Sequence, residues 1–376
     1  MSRIRYIYIT IALLVCVFSF GFLDPNLHLS WHPMYLAFTE RLMFFVYKRS
    51  YIATIVYIGI VVALFALYWK SLQVVRQKQA IGVGVGFIIA GFLFFLAYPA
   101  LSYDIYNYIL TAKVAFYYHE NPYVVMPIEF IGEPMLAYTR AANKLALYGP
   151  VWIAATYVPH WVAHNNILLS IYAFKALSIL GYLGLTYLIY KNTKSLLQTT
   201  FFALNPLVVL ETFVSGHNDT FMMVLAISGL LLWHANTISK RIVGFMLILA
   251  SIFVKGSTIV MLPVIAFMRR TSFDTQIKWV ALFLFGVFMI SPLREEMYPW
   301  YATWWIVCLA FVPIKPRSFI HGAAYWMSFG LMMRYVPWIA TREYGGTGPL
   351  LRLLFTWIPT AVYTMYFLIH SQVKKR

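Results

Sequence analysis

Stretches close to the roughly twenty apolar residues needed to cross a hydrocarbon core recur along the whole chain. The clearest are Tyr6–Leu23, Tyr51–Tyr68, Ala80–Tyr98, Leu168–Tyr190 and Leu350–His370. In lipid, only helices and closed barrels satisfy every backbone N–H and C=O group. These runs lack the period-two alternation of barrel strands, so the expected fold class is all-α, a polytopic helical membrane protein. Of the 376 residues, 62% are hydrophobic and only 11% charged, more apolar surface than a soluble domain of this length hides. Counting the apolar runs gives about twelve transmembrane segments plus short re-entrant or interfacial helices. No linker or low-complexity segment interrupts them, and residues 1–376 read as a single multispanning membrane domain. The first run follows Arg3 and Arg5 with no small-residue cleavage site behind it, so it reads as a retained span. Cys16 and Cys308 fall in apolar runs and define neither a disulfide framework nor a metal site.

The net charge of +17 resembles a nucleic-acid signal until it is mapped. Much of it lies in short links and termini, among them Arg3, Lys70, Lys194, Lys240, Arg269, Lys315 and Lys374, where Asp274 is the single acid. The positive-inside rule assigns such links and both termini to the cytoplasm. The charge therefore serves orientation and anionic headgroups, and nucleic acid is discounted as a partner. The opposite, external face receives nearly all the acids, including a long loop over 101–148.

Parity along the chain adds a constraint. Two full crossings at Val151–Val162 and Leu168–Tyr190 would put Lys191 and Lys194 outside, so the segment after "YGP" is expected to be short, re-entrant or broken. Val243–Val254 and Thr258–Met268, on either side of "KGS", are also short of a full span. Irregular helices at membrane depth are tolerated where they line a buried or watery cavity, which points to a hollow facing outward.

Four constellations carry possible chemistry. In "SYDIYNYILTAKVAFYYHENPY" a helix starting near Asp104 places Ile105, Tyr108, Ile109, Ala112 and Phe116 on one side, with Asn107, Thr111 and Tyr118 mostly on the other. That is an amphipathic, interfacial helix. Asp104 at its start is either a helix-capping acid or a general base at the membrane surface. "SGHND" places His217, Asn218 and Asp219 on a tight hairpin: a polar cap, or a set of donors, an acceptor and a titratable group. It has no partners at a metal-binding spacing. Lys255 in "FVKGST" either snorkels or meets an anion such as phosphate. Arg294, Glu295 and Glu296 precede "MYPWYATWW", which is either an aromatic belt or a platform for the C–H faces of a sugar.

Taken together these residues resemble the multispanning GT-C glycosyltransferases that use polyprenyl-phosphate mannose. The family pattern is approximately D-I-Y-R-Y-L-W-D-G-R-V followed by N-P-Y. Asp104, Ile105, Tyr106, Tyr108, Val114, Asn121, Pro122 and Tyr123 match it. "YGPVW", "NPLVVLETFVSGHND", "VKGSTIVMLP" and "YPWYATWW" follow in the family's order, so the resemblance spans residues 102–305. Asn107 stands for an arginine, Leu110 for a tryptophan, Thr111-Ala112-Lys113 for D-G-R, and Gly149 for a proline.

The resemblance implies an inverting membrane glycosyltransferase with no cofactor and no metal, working at the external face of a multi-pass protein in the cell membrane. Its implied partners are a polyprenyl-phosphate sugar donor, with mannose as the default hexose, a lipid or glycan acceptor, and membrane lipids. Asp104 is then the catalytic base. Lys255, Arg294 and Lys113 are expected at the donor phosphate. Tyr106, Asn107, His217, Asn218, Asp219, Tyr298 and Trp300 are expected to bind substrate, with Glu211 supporting them. The rival from another class is a transporter or flippase of a lipid-linked sugar, which would show internal repeats; no convincing repeat is present.

Overall fold

The computed structural model describes residues 2–24, 27, 29–77, 85–294, 296–343 and 345–373. The described residues are helices, helical turns and loops, with no strand among them. Five helices are long and apolar enough to cross a bilayer: Ile4–Phe22, Ser50–Arg76, Ile167–Thr193, Phe273–Leu293 and Gly348–Ser371. A sixth is reached if Leu196–Ala203 and Pro206–Val214, bent by 53° across a short break, count as one span. The expectation of about twelve is not met by this criterion. The reason is length: many of the remaining apolar stretches form short helices such as Asp219–Trp233 and Gly256–Phe267. The start of the run at Ala80–Tyr98 and the last basic residues, Lys374 to Arg376, lie outside the described residues, as does Glu295.

The segment after Gly149 is indeed broken, into helices Pro150–Ala155 and Tyr157–Ala163. His164 and Asn165 then turn the chain with positive φ angles. Asn166 restarts it, its side chain accepting the N–H of Leu169 at 3.0 Å to cap Ile167–Thr193. Gly149 is fixed by a close approach. A Cβ there would lie 2.0 Å from the carbonyl oxygen of Phe253. Its N–H donates to Val254 O at 3.1 Å, while the Val151 N–H donates to Phe253 O at 3.1 Å. A proline at this position would lose that donor and collide. This backbone contact ties "YGPVW" to the residues just before Lys255.

Helix Asp104–Phe116 starts where the sequence places it. Its polar face is covered by protein rather than open, however. Asn107 and Lys113 are buried along with Ile105, Tyr108 and Ile109, because the loop over 117–148 folds back onto the polar face. The Ala141 N–H donates to Asn107 Oδ1 at 3.3 Å, and Tyr118 and Lys113 both meet Glu133 at 2.6 Å.

Candidate active site

Just before that helix, whose N-cap is Tyr103, Ser102 Oγ accepts the Asp104 N–H at 3.2 Å. The Asp104 carboxylate is thereby left to face other groups. Tyr148 Oη donates to its Oδ2 at 3.1 Å, and His217 Nδ1 lies 3.6 Å from the same oxygen. The Asp104 side chain keeps 24% of its surface exposed, while His217 and Glu211 are almost wholly enclosed. Burial pushes the Tyr148 phenol well above its ordinary pKa, and the neighbouring Asp104 charge adds to the shift. Tyr148 is therefore a donor throughout the physiological range.

Behind His217 sits Glu211. Its Oε2 lies 3.3 Å from His217 Nε2, and its Oε1 accepts from Tyr335 Oη at 2.8 Å. Glu211 occupies a π-helical turn, Leu210–Val214. Such wide turns rarely persist unless the surroundings hold them, and they concentrate at functional sites. Two residues past the turn, Gly216 has φ +75°, a conformation that favours glycine. The His217 ring stacks on Trp300 at 3.8 Å, and Trp300 in turn stacks on Tyr298 at 4.5 Å. A histidine thus lies between two nearby carboxylates, with no hydrogen bond to its ring nitrogens among the described residues, and with an aromatic column on its face.

Asp219 forms a second arm of the same hairpin. Its Oδ1 accepts from Lys255 Nζ at 3.0 Å and from Trp304 Nε1 at 2.5 Å. Lys255 also lies 4.4 Å from the Tyr301 ring centroid and 5.5 Å from that of Trp304, both within cation–π reach. Its ammonium is paired, and the side chain retains 15% exposure. Asn218 is fully buried. Its side-chain amide, the second Asp219 oxygen and Trp300 Nε1 have no hydrogen-bond partner among the described residues.

Asp104, His217, Asn218, Asp219, Lys255, Tyr298 and Trp300 are therefore brought together, with Glu211 beneath them. The other candidates are placed differently. Tyr106 is buried and donates to Tyr98 Oη at 2.8 Å. Asn107 holds the loop backbone at Ala141. Lys113 sits 2.6 Å from Glu133 at the far end of its helix. Arg294 is exposed on the turn after the helix ending at Ile290, and Glu296, two residues on, takes Arg334 at 3.2 Å and Arg352 at 2.7 Å.

Among the aromatic participants, Tyr148, Trp304, Tyr301 and Tyr335 had no assigned role in the sequence reading. The first three sit inside "YGPVW" and "YPWYATWW", where their aromatic character alone gives no sign of a polar duty. Among the described residues, no group of three or more His, Cys, Asp or Glu side chains is placed to hold a metal ion.

Residues 10–271 match the model of a family described as alpha-(1->6)-mannopyranosyltransferase, N-terminal domain. The matched span contains Asp104, Tyr148, Glu211, the His217–Asp219 hairpin and Lys255, and ends before Tyr298, Trp300 and Trp304. No curated protein and no solved structure matches the chain.

Proposed function

Because this chain belongs to the alpha-(1->6)-mannopyranosyltransferase family, and is on that ground a glycosyltransferase, we propose that it moves a mannosyl residue from a polyprenyl-phosphate donor to an acceptor hydroxyl at the external membrane face. The observation that carries this reading is the placement of Asp104. Its N–H is taken up by Ser102, and its carboxylate, with about a quarter of the side chain exposed, accepts from Tyr148 and lies 3.6 Å from His217 Nδ1. That is what a base poised for an incoming hydroxyl requires.

In the proposed step the acceptor oxygen attacks the anomeric carbon. Its proton passes to Asp104 as the bond between that carbon and the phosphate oxygen breaks, and the bonding electrons leave with the phosphate. Lys255, partly accessible beside Asp219 and the Tyr301 and Trp304 rings, offsets the charge that grows on the leaving group. The Tyr298–Trp300–His217 column gives the sugar ring an apolar face. The buried Asn218 amide and Asp219 Oδ2 offer partners to sugar hydroxyls; unpaired, such buried groups cost about 1–3 kcal/mol each. Direct displacement inverts the anomeric centre. An α linkage, as in the family's description, then implies a donor whose phosphate bond is β.

The test is transfer of labelled mannose by the purified chain from synthetic β-linked polyprenyl-phosphate mannose, with nucleotide-linked mannose as the comparison. Transfer from the lipid donor alone, with an α configuration in the product, is the expected result. Transfer from the nucleotide donor, or retention of configuration, would overturn the proposed donor or mechanism.

A further inference from the structure

Lys175 lies in the interior of the apolar span Ile167–Thr193 and is fully buried. A lysine at such a position is costly and calls for a reason. Its partners are not acids: it forms no ion pair among the described residues. Its Nζ donates to the carbonyl oxygens of Phe95 and of Ala97, the latter at 2.7 Å. Tyr172, one turn earlier on the same helix, donates to Leu96 O at 3.2 Å. These successive carbonyls end the helix Val85–Leu96, where a helix leaves its acceptors unsatisfied and favours a basic group. From there the chain runs through an irregular stretch to Asp104.

The same helix face holds the other half of the site. Ser178 donates to Gly216 O at 2.9 Å, and Thr220 donates to Ser178 O at 2.7 Å. Gly216 is squeezed between the two partners: a Cβ there would lie 3.0 Å from Lys175 Cγ and 3.0 Å from Ile105 Cδ1. Ile105 follows Asp104, and Gly216 precedes His217. One short face of one helix thus touches both chain segments that deliver the acid and the histidine.

We propose that Lys175 is a positioning residue for the transfer reaction: it pins the chain end at Phe95–Ala97 beside Gly216 and so sets the 3.6 Å approach of Asp104 and His217. The proposal rests on the reading of Asp104 as the base. Lys175 touches neither substrate nor the reacting atoms. Its influence travels through two backbone segments, and errors of about 1 Å in such a constellation cost on the order of 100-fold in rate.

The experiment measures kcat and KM of mannosyl transfer by the full chain for Lys175→Met, Lys175→Arg and His217→Gln, and for each Lys175 variant combined with His217→Gln, beside thermal unfolding of each. Lys175→Met removes the donors and keeps the length. It is expected to lower kcat about 100-fold while KM moves less than about threefold. Lys175→Arg, which retains donors, recovers part of the loss. In the His217→Gln background Lys175→Met adds little, because the spacing it protects no longer matters. Unchanged kcat in folded Lys175→Met, or a fully multiplicative loss in the double variant, overturns the proposal. Should Lys175→Met fail to fold, Ser178→Ala answers the same question: it frees the Gly216 carbonyl, is expected to lower kcat about tenfold with the same non-additivity, and overturns the proposal if kcat is unchanged. Full activity in both His217→Gln and Asp104→Asn would instead remove the site reading on which the proposal stands.

Discussion

At its first turn, helix Asp104–Phe116 presents a carboxylate with about a quarter of its surface open, facing a phenol and an imidazole. At its last turn the same helix presents Lys113, matched to a carboxylate that is 2% exposed and closed over by its loop. Both ends carry charge inside an apolar surround, yet they differ in how far their demands are met. Glu133 receives Lys113, the Tyr118 hydroxyl and the Met135 N–H. Burial alone would push its carboxyl up, and these donors outweigh burial to hold it below the ordinary value of 4.5. Such a closed set fixes a loop and has nothing left to offer a ligand. Asp104 is oriented but open, and the hairpin beside it keeps buried polar atoms without partners. Satisfaction, rather than charge, separates the anchor from the end proposed to react.

The contrast can be broken at either end. Apart from Asp104 itself, the largest effect on rate is expected at Lys255. Lys255→Met removes the cation beside the proposed leaving group and leaves Asp219 buried, and kcat should fall about 100-fold or more. Steady-state kinetics on the folded fraction checks this, and a change confined to stability would contradict it. Tyr148→Phe removes one hydrogen bond to Asp104 and should lower kcat about tenfold, with little change in unfolding temperature. At the other end the order reverses. Glu133→Gln strands Lys113 and should destabilise the protein by about 3 kcal/mol, seen in thermal or chemical unfolding, while kcat of the folded enzyme stays within about twofold.

Acid titration sharpens the same point with the smallest effect. The Glu133 pKa is depressed on folding, so its contribution to stability is present above the unfolded value and is lost as pH falls through the folded one. Proteolytic cleavage of the 117–148 loop should therefore rise as the pH drops below about 4.5. In Glu133→Gln that pH dependence should disappear.

Much of this was legible in the sequence, for identifiable reasons. An acid directly after an apolar run and at the start of a helical pattern marked Asp104. Histidine, asparagine and aspartate crowded on one turn marked 217–219. The break after Gly149 followed from the parity of the basic links. The number of long spans was not legible, because apolar composition does not fix how far a helix runs, as in the short helices Gly86–Leu96 and Asp219–Trp233. Nor was the covering of Asn107 and Lys113, since helical periodicity says nothing of a loop that folds back on the polar face. Tyr335 reaches Glu211 from far along the chain, a contact no local pattern carries. Lys175 is different: a single lysine inside an otherwise apolar span is a signal in its own right, and it passed without notice within Leu168–Tyr190. Gly149, a departure from the resembling family's proline, is accounted for only by the carbonyl of Phe253 lying against it.

The most direct measurement is the rate of mannosyl transfer from polyprenyl-phosphate mannose by purified Asp104→Asn, set beside Glu133→Gln and the unaltered chain, with donor affinity measured for each. The Asn side chain keeps the shape and removes the base. The account predicts a fall in kcat of about 1,000-fold for Asp104→Asn at nearly unchanged donor affinity, with Glu133→Gln close to the unaltered rate. Undiminished transfer by folded Asp104→Asn would contradict it, and would leave Asp104 as an acid that does no more than begin a helix.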